Sequence, residues 1–135
     1  MSDFTLHPQL AKDTVFVAKL PLCRVLLMQD STYPWVVLVP ERGNVREMHQ
    51  LDESDQQQLM REITMVAERL EVLFEADKMN VAALGNMVPQ LHVHIVARYQ
   101  DDPAWPGPIW GVVPAQLYGP AVLDDMVEKV ASVLT

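Results

Sequence analysis

The stretch Gln90-Leu91-His92-Val93-His94-Ile95-Val96-Ala97-Arg98 holds two of the four histidines of the chain. Polar and apolar residues alternate through most of it, which predicts a half-buried β-strand. Side chains at positions i and i+2 of a strand share a face. The polar face then carries Gln90, His92, His94 and Arg98, and the core face carries Leu91, Val93, Ile95 and Ala97. The Cα atoms of the two histidines are then about 7 Å apart on one polar face. We expect the functional site on this face.

The size of the chain, 135 residues of which 50% are hydrophobic, is that of one domain with one core, so we expect a single domain over residues 1–135. The single cysteine, Cys23, has no partner for an internal disulfide. Residues 1–6 lack the basic and apolar regions of a signal peptide. Because no apolar stretch reaches membrane-spanning length either, we expect a soluble, cytoplasmic protein without a membrane partner.

The formal net charge of -8 bears on possible partners. Contacts of Lys and Arg with phosphates supply most of the non-specific affinity for nucleic acid, so this charge argues against nucleic acid as a partner. A small anionic ligand needs only local donors and stays compatible with the charge.

Periodicity and turn residues predict the other elements. The expected strands before the histidine strand are residues 14–20, 23–28, 35–40 and 79–84. A long helix is expected from the N-cap residue Asp52 to about Phe74, with a short helix or turn over residues 6–13 and an amphipathic helix over residues 124–134. Two hairpins then give a mostly antiparallel sheet with helices on one side, which is an α+β fold.

The segment from Tyr99 to Gly111 follows the histidine strand and contains three prolines and two tryptophans. Such a composition excludes regular secondary structure. We consider two alternatives for it, namely a cover over a pocket or a partner subunit and a loop folded over its own core.

A pair of histidines on one strand has three interpretations. Both side chains can be structural or solvent-exposed. They can also supply half of a metal site, but a third ligand is then needed, and only His7 and His49 remain as histidines. Finally, a neutral imidazole can attack phosphorus while its neighbour stabilises the charge that develops.

The segment from Asn80 through Gly85-Asn86 to Arg98 resembles the signature of the histidine triad (HIT) family, in which three histidines alternate with apolar residues on one strand. The order of the other elements is similar as well, including Val39-Pro40-Glu41-Arg42 after the third strand and a Trp-Pro segment after the histidines. The resemblance covers residues 14–111, and the histidine motif is its specific part.

The resemblance implies a five-stranded, mostly antiparallel sheet with one long helix packed on it and a C-terminal helix. It also implies a homodimer that hydrolyses or transfers nucleotidyl groups through a nucleotidyl-histidine intermediate without a cofactor. His92 matches the central histidine, the nucleophile of the family. His94 matches the third histidine, which contacts the phosphate and helps the leaving group depart. Gln90 replaces the first histidine, and because glutamine carries no titratable proton only an orienting role survives there.

Three further positions follow from the resemblance, and Arg98 follows from the predicted strand face. Asn86 matches an amide-bearing residue that contacts the α-phosphate, whereas Met87 stands where many members have a serine. Asp30 matches a residue that hydrogen-bonds the ribose hydroxyls, and its alternative is a turn-initiating aspartate. Arg98 shares the histidine face and could attract an anionic substrate, and its alternative is exposure to solvent at the strand end.

The sequence therefore predicts a HIT-like nucleotidyl hydrolase or transferase. Its substrate is a nucleoside phosphoramidate, a dinucleoside polyphosphate or a related nucleotide, cleaved at the α-phosphate. The alternative is a HIT-like nucleotide-binding protein with little or no catalysis, which Gln90 and Met87 both favour. A metal-dependent role ranks third.

Overall fold

A computed structural model describes residues 3–135 of the chain. One five-stranded sheet has the strand order β1-β2-β3-β5-β4, and all four strand pairs are antiparallel. The strands are β1 (Thr14–Lys19), β2 (Cys23–Met28), β3 (Trp35–Pro40), β4 (Lys78–Ala82) and β5 (Val93–Arg98). The helices are α1 (Pro8–Asp13), α2 (Glu53–Phe74) and α3 (Pro120–Leu134), and a short 3-10 helix covers Met48–Gln50. The fold class is α+β, as the sequence predicts.

The long helix α2 has the start and the buried stripe expected from its sequence. The Asp52 side chain accepts a hydrogen bond from the Asp55 backbone N–H and so caps the helix. Glu75, in the left-handed region at φ 49°, ends it. The buried apolar side chains of α2 recur at helical spacing and pack on the sheet together with two from α3. These are Leu59, Ile63, Val66, Leu70, Val130 and Leu134.

The histidine strand begins later than predicted. In β5, Val93 pairs with Leu38 of β3 and His94 with Ala82 of β4, but residues 90–92 lie outside the ladder. The Leu91 backbone N–H donates instead to the Val45 carbonyl, in the loop after β3. Residues 90–92 therefore lie outside the sheet, and Leu91 is held by a loop contact that strand periodicity cannot specify.

The sheet is covered on both of its faces. One face packs against α2 and α3, and the other carries a second cluster that includes Leu10 of α1 and Ile109 of the loop after β5. All six residues of β5 are buried. The expectation that this strand is half-buried is therefore wrong, because Leu10 of α1 and the loop residues Ala104, Ile109 and Trp110 cover the second face. The two long helices lie together on one side, as predicted. Ile109 of the loop after β5 packs in the second cluster. At Ile109 the loop therefore folds over its own core, which is the second of the two alternatives.

A buried carboxylate ties α2 to the turn between β1 and β2. Glu62 accepts hydrogen bonds from the backbone N–H groups of Leu22 and Cys23, each at 2.8 Å, and from Gln58 Nε2 at 2.7 Å. Burial raises the pKa of the Cys23 thiol well above its usual range, so the thiol stays protonated.

No helix within residues 3–135 combines the length and the apolar character that crossing a membrane requires.

Candidate active site

The two histidines of the signature come together at the start of β5. Their ring centroids lie 4.9 Å apart and their planes meet at 69°. His92 is 6% exposed and His94 is 5% exposed. The structure thus places two nearly buried imidazoles edge to face, and the hydrogen bonds of each ring decide what it can do.

The first ring, His92, is oriented by the main chain of Gln90. Its Nδ1 lies 2.6 Å from the Gln90 carbonyl oxygen. A carbonyl oxygen only accepts hydrogen bonds, so Nδ1 carries the proton. In the neutral ring the other nitrogen, Nε2, then has a free lone pair. That is the form of histidine that acts as a nucleophile.

The second ring, His94, has the opposite arrangement. Trp35 Nε1 donates a hydrogen bond to His94 Nδ1 at 3.1 Å, in a buried position. Because an indole N–H can only donate, Nδ1 accepts and Nε2 carries the proton. Burial, together with the neighbouring His92, lowers the pKa of His94 to about 4. At neutral pH His94 is therefore an uncharged hydrogen-bond donor through Nε2.

Two tryptophans enclose the His94 ring. Trp35 lies at the start of β3 with its centroid 5.7 Å from that of His94, and Trp110 lies 5.2 Å from it in an edge-on orientation. Sequence reasoning missed both as site residues. Pro34-Trp35 at the start of a strand gives no sign of its register, and Trp110 reaches His94 only because the loop after β5 folds back.

The side chain of Gln90 is engaged on both sides of its amide. Its Oε1 accepts a hydrogen bond from the His7 backbone N–H at 2.8 Å, and its Nε2 donates to the Thr5 carbonyl at 2.9 Å. The Gln90 side chain thereby holds the N-terminal segment, while the Gln90 main-chain carbonyl oxygen orients His92. His7 is half-buried, and its Nδ1 caps α1 by accepting from the Gln9 N–H.

Arg98 is not available on the histidine face. Its side chain is buried, with Nε and Nη2 bonded to Asp102 at 2.7 and 3.0 Å and Nη1 donating to Asn80 Oδ1 at 2.8 Å. The rings of Tyr33 and Trp105 lie 5.8 and 5.7 Å from the guanidinium carbon. Neither expectation for Arg98, attraction of an anionic substrate or solvent exposure, agrees with this environment. The reason is Asp102, four residues later in the chain, whose carboxylate pairs with the Arg98 guanidinium and neutralises its charge.

The remaining predicted residues lie in loops. Asp30 is buried, and its Oδ1 accepts from the N–H groups of Thr32 at 3.0 Å and Gln116 at 3.2 Å. The first contact is the turn expected as one alternative, and the second ties down the segment that precedes α3. Asn86 and Met87 are exposed in the connection between β4 and β5.

Metal ligands do not converge on this site. In the part of the chain that the structure describes, no three or more His, Cys, Asp or Glu side chains come together as a candidate metal site.

An open cleft of about 620 Å³ adjoins the other side of Gln90. Its walls come from the N-terminal segment, from residues 43–46 and from Pro89. Gly43 is required there, because a Cβ would collide with the Asp3 carbonyl oxygen.

Comparison with known proteins adds a family to this geometry. No curated protein matches the chain significantly. A histidine triad protein from Marinobacter aquaeolei VT8 is 48% identical over 98% of this chain and 97% of its own, with a TM-score of 0.96. One from Bradyrhizobium japonicum is 42% identical over 98% and 99%, with a TM-score of 0.96. A third, from Sinorhizobium meliloti 1021, is 39% identical over 96% of each chain, with a TM-score of 0.93. The HIT domain model matches residues 9–101. The chain therefore belongs to the HIT domain family.

Proposed function

We propose that the protein is a HIT-type hydrolase or transferase that cleaves the α-phosphate bond of a nucleotide through a nucleotidyl-His92 intermediate. Membership of the HIT family supports a nucleotide hydrolase or transferase activity. The observation that carries the proposal is the pair of hydrogen bonds at the two Nδ1 atoms, from which opposite tautomers follow. The Gln90 carbonyl leaves His92 Nε2 free to attack, and Trp35 leaves His94 Nε2–H free to donate.

The reaction proceeds in two displacements. His92 Nε2 attacks the α-phosphorus, the bond from phosphorus to the leaving atom breaks, and its electron pair departs with the leaving group. The positive charge that develops on the His92 ring is stabilised at Nδ1–H by the Gln90 carbonyl, and His94 Nε2–H donates to a phosphoryl oxygen. Water then attacks phosphorus and loses a proton to solvent, the bond from phosphorus to Nε2 breaks, and the electron pair returns to His92 Nε2 as the nucleotide is released.

Asp30 and Asn86 are proposed to hold the nucleotide. Asp30 uses Oδ1 for the N–H groups of Thr32 and Gln116, and neither bond uses Oδ2. We assign Oδ2 to the ribose hydroxyls. The exposed Asn86 amide, directly after Gly85 at φ 73°, is assigned to the α-phosphate.

We further propose that the protein is a cytoplasmic homodimer. The outer strand β4 leaves one edge of the sheet open, and Val81 and Leu84 are exposed on and beside it. An open strand edge with apolar side chains is a surface that pairs readily with another chain. Light scattering at micromolar concentration should give the mass of two chains, and the mass of one chain would contradict the dimer.

The test of the enzymatic proposal is a search for the covalent intermediate. The protein is mixed with adenosine 5′-phosphoramidate or diadenosine tetraphosphate, quenched at alkaline pH and examined by intact-protein mass spectrometry while AMP release is followed. We expect an adduct of one AMP on the wild type and on His49→Ala, a control that removes an exposed histidine. His92→Ala should give neither adduct nor AMP, and equal turnover in that variant would contradict the proposal.

A second candidate, a nucleotide-binding protein without efficient catalysis, is favoured by two observations. The Gln90 amide is engaged by Thr5 and His7, and Met87 places an exposed thioether where a hydroxyl would assist. Under this alternative, titration calorimetry detects nucleotide binding that is unchanged in His92→Ala, and no AMP is released.

A further inference from the structure

Residues 3–7, here called the N-terminal strap, lie ahead of α1 with one side on the core. Phe4 and Leu6 are half-buried and pack against the second core cluster. Asp3 and Thr5, which alternate with them, are exposed. Alternation with a period of two is that of an extended chain, whose main-chain polar groups point sideways. The strap can therefore form hydrogen bonds with whatever lies beside it.

The group beside the strap is the side-chain amide of Gln90. Its Nε2 donates to the Thr5 carbonyl at 2.9 Å, and its Oε1 accepts from the His7 N–H at 2.8 Å. In an extended chain, the carbonyl of one residue and the N–H two residues later point to the same side, and a parallel strand bonds to this pair. The Gln90 amide thus takes the place of a neighbouring strand, with its donor and its acceptor both matched.

The same residue reaches His92 through its main chain. The Gln90 carbonyl oxygen lies 2.6 Å from His92 Nδ1. The ladder of β5 begins only at Val93, so strand pairing does not hold this carbonyl. It is held by the bonds of the Gln90 amide and by the next residue, Leu91, whose N–H donates to the Val45 carbonyl at 2.9 Å. The position of the carbonyl therefore depends on the strap.

The loop after β3 supports the strap as well. A Cβ at Gly43 would collide with the Asp3 carbonyl oxygen, so the loop and the strap lie in close contact at this point. Two residues later the same loop accepts the hydrogen bond from Leu91. Strap, loop and residues 90–92 thus form a closed set of contacts, in which a change at the strap is transmitted to the Gln90 carbonyl.

We infer that Gln90 is a positioning residue, whose side-chain amide anchors its own main-chain carbonyl to the N-terminal strap and thereby keeps His92 in the Nδ1–H form. The inference rests on the proposed function, in which the Nε2 atom that this form leaves free is the nucleophile. A glutamine suits this task because its amide offers a donor and an acceptor at every pH. A histidine at the same place would offer both only while it is neutral.

The first experiment removes one hydrogen bond of the strap. His7 has φ -55° and ψ 135°, angles that proline adopts, so His7→Pro deletes the N–H that donates to Gln90 without requiring a new backbone conformation. His7→Ala is the matched control, because both variants lose the imidazole that caps α1 and only His7→Pro loses the N–H. We expect kcat for AMP release from diadenosine tetraphosphate or adenosine 5′-phosphoramidate to be about fivefold lower in His7→Pro than in His7→Ala, with KM within about twofold.

The second experiment reads the His92 ring without turnover. Nitrogen-15 NMR of histidine-labelled protein should show the single Nδ1–H tautomer of His92 in the wild type and in His7→Ala. In His7→Pro, and more so in Gln90→Leu, which removes both bonds of the amide, the two ring-nitrogen shifts should move toward the average of the two tautomers.

A single Nδ1–H tautomer in both His7→Pro and Gln90→Leu would overturn the inference, and an AMP adduct on His92 of the wild type would still support the proposed function. Equal kcat in the two His7 variants, or a loss confined to KM, would also overturn it. Shifted tautomers in the variants, together with a wild type that forms no adduct, would support the coupling of the strap to His92 and overturn the proposed function.

Discussion

The two ends of β5 treat polar side chains in opposite ways. At the start, His92 and His94 each bond one ring nitrogen to the protein and keep the other free. At the end, all three guanidinium nitrogens of Arg98 donate hydrogen bonds to Asp102 and Asn80. Both ends are buried, so burial alone does not distinguish a candidate reactive site from a structural one. The distinction lies in whether a donor or acceptor is left over.

The largest effect should follow from removing His92, the proposed nucleophile. His92→Ala should lower kcat by about 10⁴-fold or more, because the covalent step is lost. AMP release measures the change, and nucleotide affinity by calorimetry should stay within about threefold, since the ring contributes mainly to the transition state. A loss of affinity equal to the loss of rate would make His92 a binding residue instead.

At the other end of the strand, the change should appear in stability. Arg98→Ala leaves the Asp102 carboxylate buried without its partner, which should lower the free energy of unfolding by about 3–5 kcal/mol. Urea denaturation measures this loss. The matched control is the pair Arg98→Met with Asp102→Asn, which removes both charges and should recover part of the loss. If the single variant lost activity without losing stability, Arg98 would belong to the site.

The pH dependence of the free energy of unfolding tests the start of β5, where His94 is buried. His94 has a pKa of about 4 in the folded chain, below the ordinary value of 6.5, so the unfolded chain binds more protons between these values. Its contribution, about 3 kcal/mol, is complete above pH 6.5 and is lost as the pH falls to about 4. Urea denaturation from pH 7 to pH 4 should show this fall for the wild type. The fall should be smaller in His94→Asn, and an identical slope in the two would contradict a neutral buried His94.

The smallest effect tests the hydrogen bond that orients His94. Trp35→Phe keeps an aromatic ring but removes the N–H donor, so both His94 tautomers become available. We expect kcat to fall by about 10-fold, the equivalent of about 1.4 kcal/mol, with little change in KM. Nitrogen-15 NMR of the His94 ring should show mixed tautomers in the variant and a single Nε2–H tautomer in the wild type. A single tautomer in both would separate Trp35 from the orientation of His94.

The strands and the long helix follow from local signals in the sequence. β2 and β3 have the predicted bounds, and Asp52 caps α2 as expected. β4 begins and ends earlier than predicted, and α3 begins earlier, at Pro120. Ends of elements depend on pairing partners, which a periodic pattern does not contain.

By itself, the sequence determined that two histidines alternate with apolar residues, that the elements form an α+β fold, and that the pattern resembles the HIT family. Only the tertiary structure decided which nitrogen of each ring is free. It also decided that Gln90 binds the N-terminal segment and that Arg98 is neutralised. The physical reason is distance along the chain. Periodicity and capping act within a few residues, whereas Trp35 and His94 are 59 positions apart and Gln90 and His7 are 83 apart. Such contacts form only when the sheet and its loops bring them together.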